Sequence, residues 1–177
     1  MFSMDKKDPL LATARLFVGA AIGVVGFAAI MVAIGLGAAL TIQRTETLDK
    51  LAAAGIADNG YAAIMLALAL VIALLTLVFL FLRELFRITG SVERGDPFLP
   101  INADRLARMA WLNLGSQLIL FFLAGIGIWL DDMKAALLAE DAINLGVTET
   151  LLTLVLFILA RVFRVGAAMR DDLEGTV

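Results

Sequence analysis

Between Arg15 and Arg44 the chain carries no charged residue, and an uncharged apolar run of that length has few homes other than a lipid bilayer. As an α-helix, Leu16–Ile42 would extend about 40 Å, more than the roughly 30 Å hydrocarbon core, so tilt or a projecting end must absorb the excess. A second uncharged run covers Gly60–Leu82 and a third Met109–Leu130. A fourth, Ile143–Ala160, contains one carboxylate, Glu149, and is followed at once by Arg161 and Arg164. The composition agrees: 62% of the 177 residues are hydrophobic, against about 45–50% in a soluble domain. The pattern predicts an all-α integral membrane protein, one domain over residues 1–177, forming a four-transmembrane-helix up-down bundle. The expected spans are 14–42, 60–86, 103–130 and 143–168, with a loop at 87–102 and a tail at 169–177. The start MFSMDKKDPLLATAR has the charge of a signal peptide, but the apolar run behind it exceeds an h-region of about 7–15 residues and reads as a retained first span.

Loop charges predict the orientation. Lys6, Lys7, Arg15, Arg83, Arg87, Arg94, Arg105, Arg108, Arg161, Arg164 and Arg170 fall on one side, whereas Arg44, Lys50 and Lys134 fall on the other. By the positive-inside rule the first set is cytoplasmic, which puts both termini inside. The outer loops are then Gln43–Asn59 and Asp131–Ala142. Within them LDKLAAAGI and MKAALLAEDAI carry Leu and Ile at helical spacing, the pattern of short interfacial helices.

With no His and no Cys, the chain lacks imidazole acid–base chemistry, thiolate nucleophiles, disulfides and nitrogen- or sulfur-ligated metal sites. Neither a nucleophile–base pair nor a metal-ligand constellation stands out. No catalytic, cofactor-binding or metal residue is therefore expected, and the chain does not read as an enzyme. A net charge of −3 and the lack of a basic run with interleaved aromatics argue against direct nucleic-acid contact.

Polar and small residues inside the spans are the next signal. Gly19, Gly23, Gly26, Ala33 and Gly37 share one helical face of span one, fit either for close packing within the chain or for a homodimer seam. Asn113 and Gln117, at i and i+4 in span three with Ser116 between them, are expected to turn towards another helix, because an amide in hydrocarbon needs a partner. They serve as structural glue or as part of a polar path. Glu149 has two placements. It lies about two turns deep if Arg161 marks the inner boundary, or at the outer interface if Arg161 snorkels and the helix runs on.

The segment ITGSVERGDPFLPINADRLARMAW is the most organised polar stretch. Gly90 and Ser91 are placed to end the helix of span two, and Gly95-Asp96-Pro97 is a turn signal. Asn102 reads as the N-cap of span three, with Asp104 in its first turn and Ile101 and Leu106 at staple positions. Trp111 falls where an interfacial aromatic belongs. This stretch, with the ending ARVFRVGAAMRDDLEGTV, resembles the bacterial membrane family called domain of unknown function 2975. Gly95, Pro97-Phe98, Asn102, Arg105-Leu106, Trp111 and the final Leu173-Glu174-Gly175-Thr176-Val177 carry the likeness. Arg164 and Arg170 fit the family's charged tail, while Ala107 stands where a basic residue is expected. The family has no assigned chemistry, and its members are often encoded beside a small helix-turn-helix regulator. The resemblance thus implies a membrane partner for a cytosolic regulator.

The expected function is a non-catalytic regulatory or interaction protein. Its partner would contact Arg94, Asp96, Phe98, Asn102, Arg105, Arg108, Arg164, Arg170, Asp171 and Glu174. The alternative is a small transporter or channel built on Glu149 and the polar face of span three.

Overall fold

A computed structural model describes residues 9–41, 60–130 and 135–174 of the chain. They form four helices: α1 (Pro9–Thr41), α2 (Gly60–Glu93), α3 (Pro100–Leu130) and α4 (Ala135–Glu174). There is no strand among the described residues. Each helix is long and apolar enough to cross a membrane. Their lengths of 33, 34, 31 and 40 residues correspond to about 46–60 Å, well beyond the roughly 30 Å of a hydrocarbon core.

Successive helices run antiparallel. At one end Tyr61 Oη donates to the Ala39 carbonyl at 3.1 Å, and at the other Arg15 pairs with Glu93, which fixes the register of α1 on α2. Asn113 against Thr153 and Asp104 against Arg164 do the same for α3 on α4. Among the described residues α1 packs on α2, α2 on α3 and α3 on α4, and no other helix pair touches. The bundle is therefore open, with α1 and α4 as its edges. Lipid tails solvate an apolar side chain as well as a neighbouring helix does, so no hydrophobic force compels the ring to close.

The buried core sits beside the charged ends of the helices. Leu106, Met109 and Ala110 of α3 meet Leu156 and Ala160 of α4, flanked by Phe81, Leu85 and Ile88 of α2. The small-residue face of α1 is divided. A Cβ on Gly19 or Gly26 would stand 3.7 Å from the ring of Phe86 or Phe79, so these two receive α2 side chains, whereas Gly23 and Gly37 face open space.

The α2–α3 connection is shorter than the expected loop at 87–102. Gly90 and Ser91 do not end α2, which continues to Glu93 and closes in a Schellman motif. Gly95 N donates to the Val92 carbonyl at 2.9 Å, Asp96 N donates to the Ser91 carbonyl at 3.2 Å, and Gly95 takes φ 82°, a left-handed conformation that favours glycine. α3 starts at Pro100, whose fixed φ and missing N–H suit the first helical position. Asn102 is consequently the third helical residue rather than the N-cap, and the Ile101–Leu106 staple does not form: Ile101 is half exposed while Leu106 is buried. Three further boundaries move. α1 begins at Pro9, ahead of the expected start at residue 14. α4 begins at Ala135, inside the segment expected as an outer loop, and runs through the expected tail as far as Glu174. The expected interfacial helix at LDKLAAAGI lies outside the described residues.

Candidate functional site

Two polar layers cross this apolar bundle. The first occupies the charged end. Glu84, on the α3-facing side of α2, is 3% exposed and surrounded by arginines. Its Oε1 accepts from Arg87 Nη1 at 3.0 Å and from Arg83 Nη2 at 3.4 Å, while Oε2 lies 3.9 Å from Arg105 Nε without a hydrogen-bond partner. One side of the Arg105 guanidinium is anchored further: its Nη1 donates to Asn102 Oδ1 at 3.0 Å and to the Arg87 carbonyl at 3.3 Å. Asn102, fully buried, donates from Nδ2 to Ser91 Oγ at 2.7 Å and to the Pro97 carbonyl at 2.9 Å. An asparagine with both ends of its amide engaged ties the turn to the two helices that flank it.

Around this knot the outer helices attach by charge. Arg15 of α1 donates to Glu93 and lies over the Phe86 ring at 4.9 Å. Buried Gly90 lies beneath this cluster: a Cβ there would be in ordinary contact with the Arg94 and Arg15 guanidinium groups, 3.8 and 4.0 Å away. From α4, Arg164 donates to Asp104 at 3.1 Å and Arg170 donates to Asp96 in the turn. Phe98 packs on Phe163 with ring centroids 5.4 Å apart, and its ring fills the space that a Cβ on Gly166 would occupy at 3.0 Å. The turn and the charged end of α4 thus form one continuous surface.

The expected contact residues divide accordingly. Asn102 and Arg105 are internal supports, so neither is presented to a partner. Asp96, Phe98, Arg164 and Arg170 hold the turn against α4, with Phe98 still 43% exposed. Arg94, Arg108 and Asp171 are exposed on the outside. The Glu174 side chain lies outside the described residues.

The second layer lies between α3 and α4. Asn113 Nδ2 donates to Thr153 Oγ1 at 2.9 Å and to the Glu149 carbonyl at 3.0 Å, and Gln117 Nε2 donates to the same Thr153 oxygen at 2.8 Å. Thr153 Oγ1 in turn donates to the Glu149 carbonyl at 3.0 Å, and Thr150 Oγ1 donates to Gln117 Oε1 at 3.2 Å. Both amides of span three are therefore turned to a neighbouring helix, while Ser116 spends its hydroxyl on the Leu112 carbonyl within α3. The register also bears on Glu149. Its backbone sits level with Asn113–Gln117, about 20 Å short of the far end of α3 at Leu130. Being one turn from Thr153, Glu149 shares the α3-facing stripe of α4, and it is half-buried.

Sequence reasoning passed over Glu84 and Thr153 and read Ser91 only as a helix-ending residue. Their signals were present: Glu84 and Ser91 are seven apart on one helical face, and Thr153 follows Glu149 by four. Among the described residues no three carboxylates come together as metal ligands.

No family model, no curated protein and no solved structure matches this chain. The likeness to the family of unknown function therefore stands on the quoted segments alone.

Proposed function

We propose that this protein is a non-catalytic regulatory or interaction protein of the bacterial inner membrane, with both termini in the cytoplasm. Its working surface is formed by the α2–α3 turn and the charged end of α4. One observation carries the reading: Arg170–Asp96, Arg164–Asp104 and the Phe98–Phe163 stack hold two segments far apart in sequence as a single face. A helix end that only terminated a span would need none of this. Exposed Phe98, Arg94 and Asp171 give the face an apolar centre with charges around it, the chemistry of a protein-binding patch. The partner class, a small cytosolic helix-turn-helix regulator, comes from the family resemblance. Purifying the tagged protein from native membranes and identifying what accompanies it tests the reading. Stoichiometric recovery of a small DNA-binding protein supports it, and recovery of the chain alone counts against it.

A second reading has its own support. Glu149, half-buried and level with Asn113, Gln117, Thr150 and Thr153, is the kind of arrangement a cation or proton site in a small transporter would use. Reconstituted vesicles loaded with a pH-sensitive dye would test it: proton movement abolished by Glu149→Gln favours this reading over the first.

A further inference from the structure

Arg108 and Arg161 belong to neither polar layer, and their placement is unusual. On α3, Asp104, Arg108 and Trp111 follow one another at i, i+4 and i+7; on α4, Phe157, Arg161 and Arg164 do the same. The ends of these two stripes are paired. Arg164 donates to Asp104 at 3.1 Å, and Trp111 meets Phe157 edge-on with centroids 5.5 Å apart. The middle members, Arg108 and Arg161, are thereby brought to one face of the α3–α4 seam. Both are exposed, and neither has a counter-charge among the described residues. Two cations facing outward on one seam form a place where an anion would be favoured. Beyond Trp111 on α3, a largely apolar groove lined by Trp111, Leu114, Gly115, Gln117 and Leu118 continues away from the charged end. Trp111 itself is 64% exposed, the position of an interfacial anchor.

We propose that this face binds one anionic phospholipid, with its phosphate between Arg108 and Arg161 and an acyl chain along the Trp111–Leu118 groove. Basic sites between transmembrane helices recognise anionic headgroups, and a groove continuing from cations into apolar surface matches a molecule charged at one end. The inference rests on α3 and α4 lying in a bilayer and is independent of any protein partner.

The test uses the full chain purified in a neutral detergent, titrated with phosphatidylglycerol, phosphatidylcholine or inorganic phosphate. Binding is followed by thermal unfolding and by native mass spectrometry. Phosphatidylglycerol should raise the unfolding temperature and remain bound as one molecule, while phosphatidylcholine and inorganic phosphate do neither. Arg108→Gln together with Arg161→Gln should weaken phosphatidylglycerol binding about thirtyfold, and the unfolding temperature in detergent alone should not change, since neither side chain holds the fold. Arg94→Gln, which removes an exposed arginine elsewhere, should bind as the natural chain does. Equal stabilisation by phosphatidylcholine, an equal effect of phosphate alone, or undiminished phosphatidylglycerol binding by the double variant would each overturn the proposal. The first two arms need no variant at all.

Discussion

Thr153 is the residue on which the deeper polar layer turns, and replacing it by valine isolates what that layer contributes. Its Oγ1 accepts from both Asn113 and Gln117. Thr153→Val keeps the shape but removes the acceptor shared by two amides, leaving Asn113 Nδ2 the Glu149 carbonyl alone and taking from Gln117 Nε2 its Thr153 acceptor. Hydrogen bonds between transmembrane helices average about 0.6 kcal/mol and reach about 1.7, so losing two should cost about 1–2 kcal/mol. Asn113→Leu removes one donor with two acceptors, Thr153 Oγ1 and the Glu149 carbonyl. The carbonyl still has Thr153 Oγ1 as a donor, so the cost should be nearer 1 kcal/mol. The double variant should cost less than the two added together by about 0.6 kcal/mol, the shared bond being counted once. Reversible unfolding in mixed micelles of mild detergent and sodium dodecyl sulfate measures all four chains. Strict additivity would mean that the 2.9 Å contact contributes nothing, and the role assigned to Thr153 would fail.

Three further outcomes follow from the charged end and the orientation. Glu84→Ala should cost about 2 kcal/mol in the same unfolding assay, below the 3–5 of a fully buried pair because Arg83 and Arg87 are nearly half exposed and swing to water; Glu84→Gln, which keeps an acceptor for Arg87, should lose less, and an unchanged stability for both would contradict the keystone role. Gly166→Leu should expel the Phe98 ring from its seat and increase hydrogen exchange across residues 94–99, while leaving the rest of the bundle protected. Since the chain has no cysteine, single cysteines at Lys50 and Lys134 should label from outside intact cells and one at Lys6 should not; the reverse pattern would invert the orientation.

The apolar runs made the four helices legible, because a bilayer leaves a long uncharged segment few alternatives. What escaped was set by contacts distant in sequence. Asn102 has the chemistry of an N-cap, yet Pro100 supplies a better first helical residue and frees the amide to tie Ser91 to the Pro97 carbonyl. Arg164 and Arg170 look like charges that end a helix, but Asp104 and Asp96 receive them and α4 continues to Glu174. Glu84 was hidden between Arg83 and Arg87, which read as the charged end of a span, although its own burial is nearly complete. The level of Glu149 beside the amides of α3 could not come from its own span. It required the register against Asn113, 36 residues away.

The central claim is that function resides on the face made by the turn and the charged end of α4, and one comparison tests it most directly. Partner recovery from native membranes should be measured side by side for the natural chain, a chain lacking Asp171–Val177, and Glu149→Gln. The account predicts that the truncated chain inserts and folds but loses the partner, because the deletion removes exposed Asp171, next to the Arg170 that is paired with Asp96. Glu149→Gln should recover the partner in full. If truncation is silent while Glu149→Gln abolishes function, the working residues lie within the membrane and the account is contradicted.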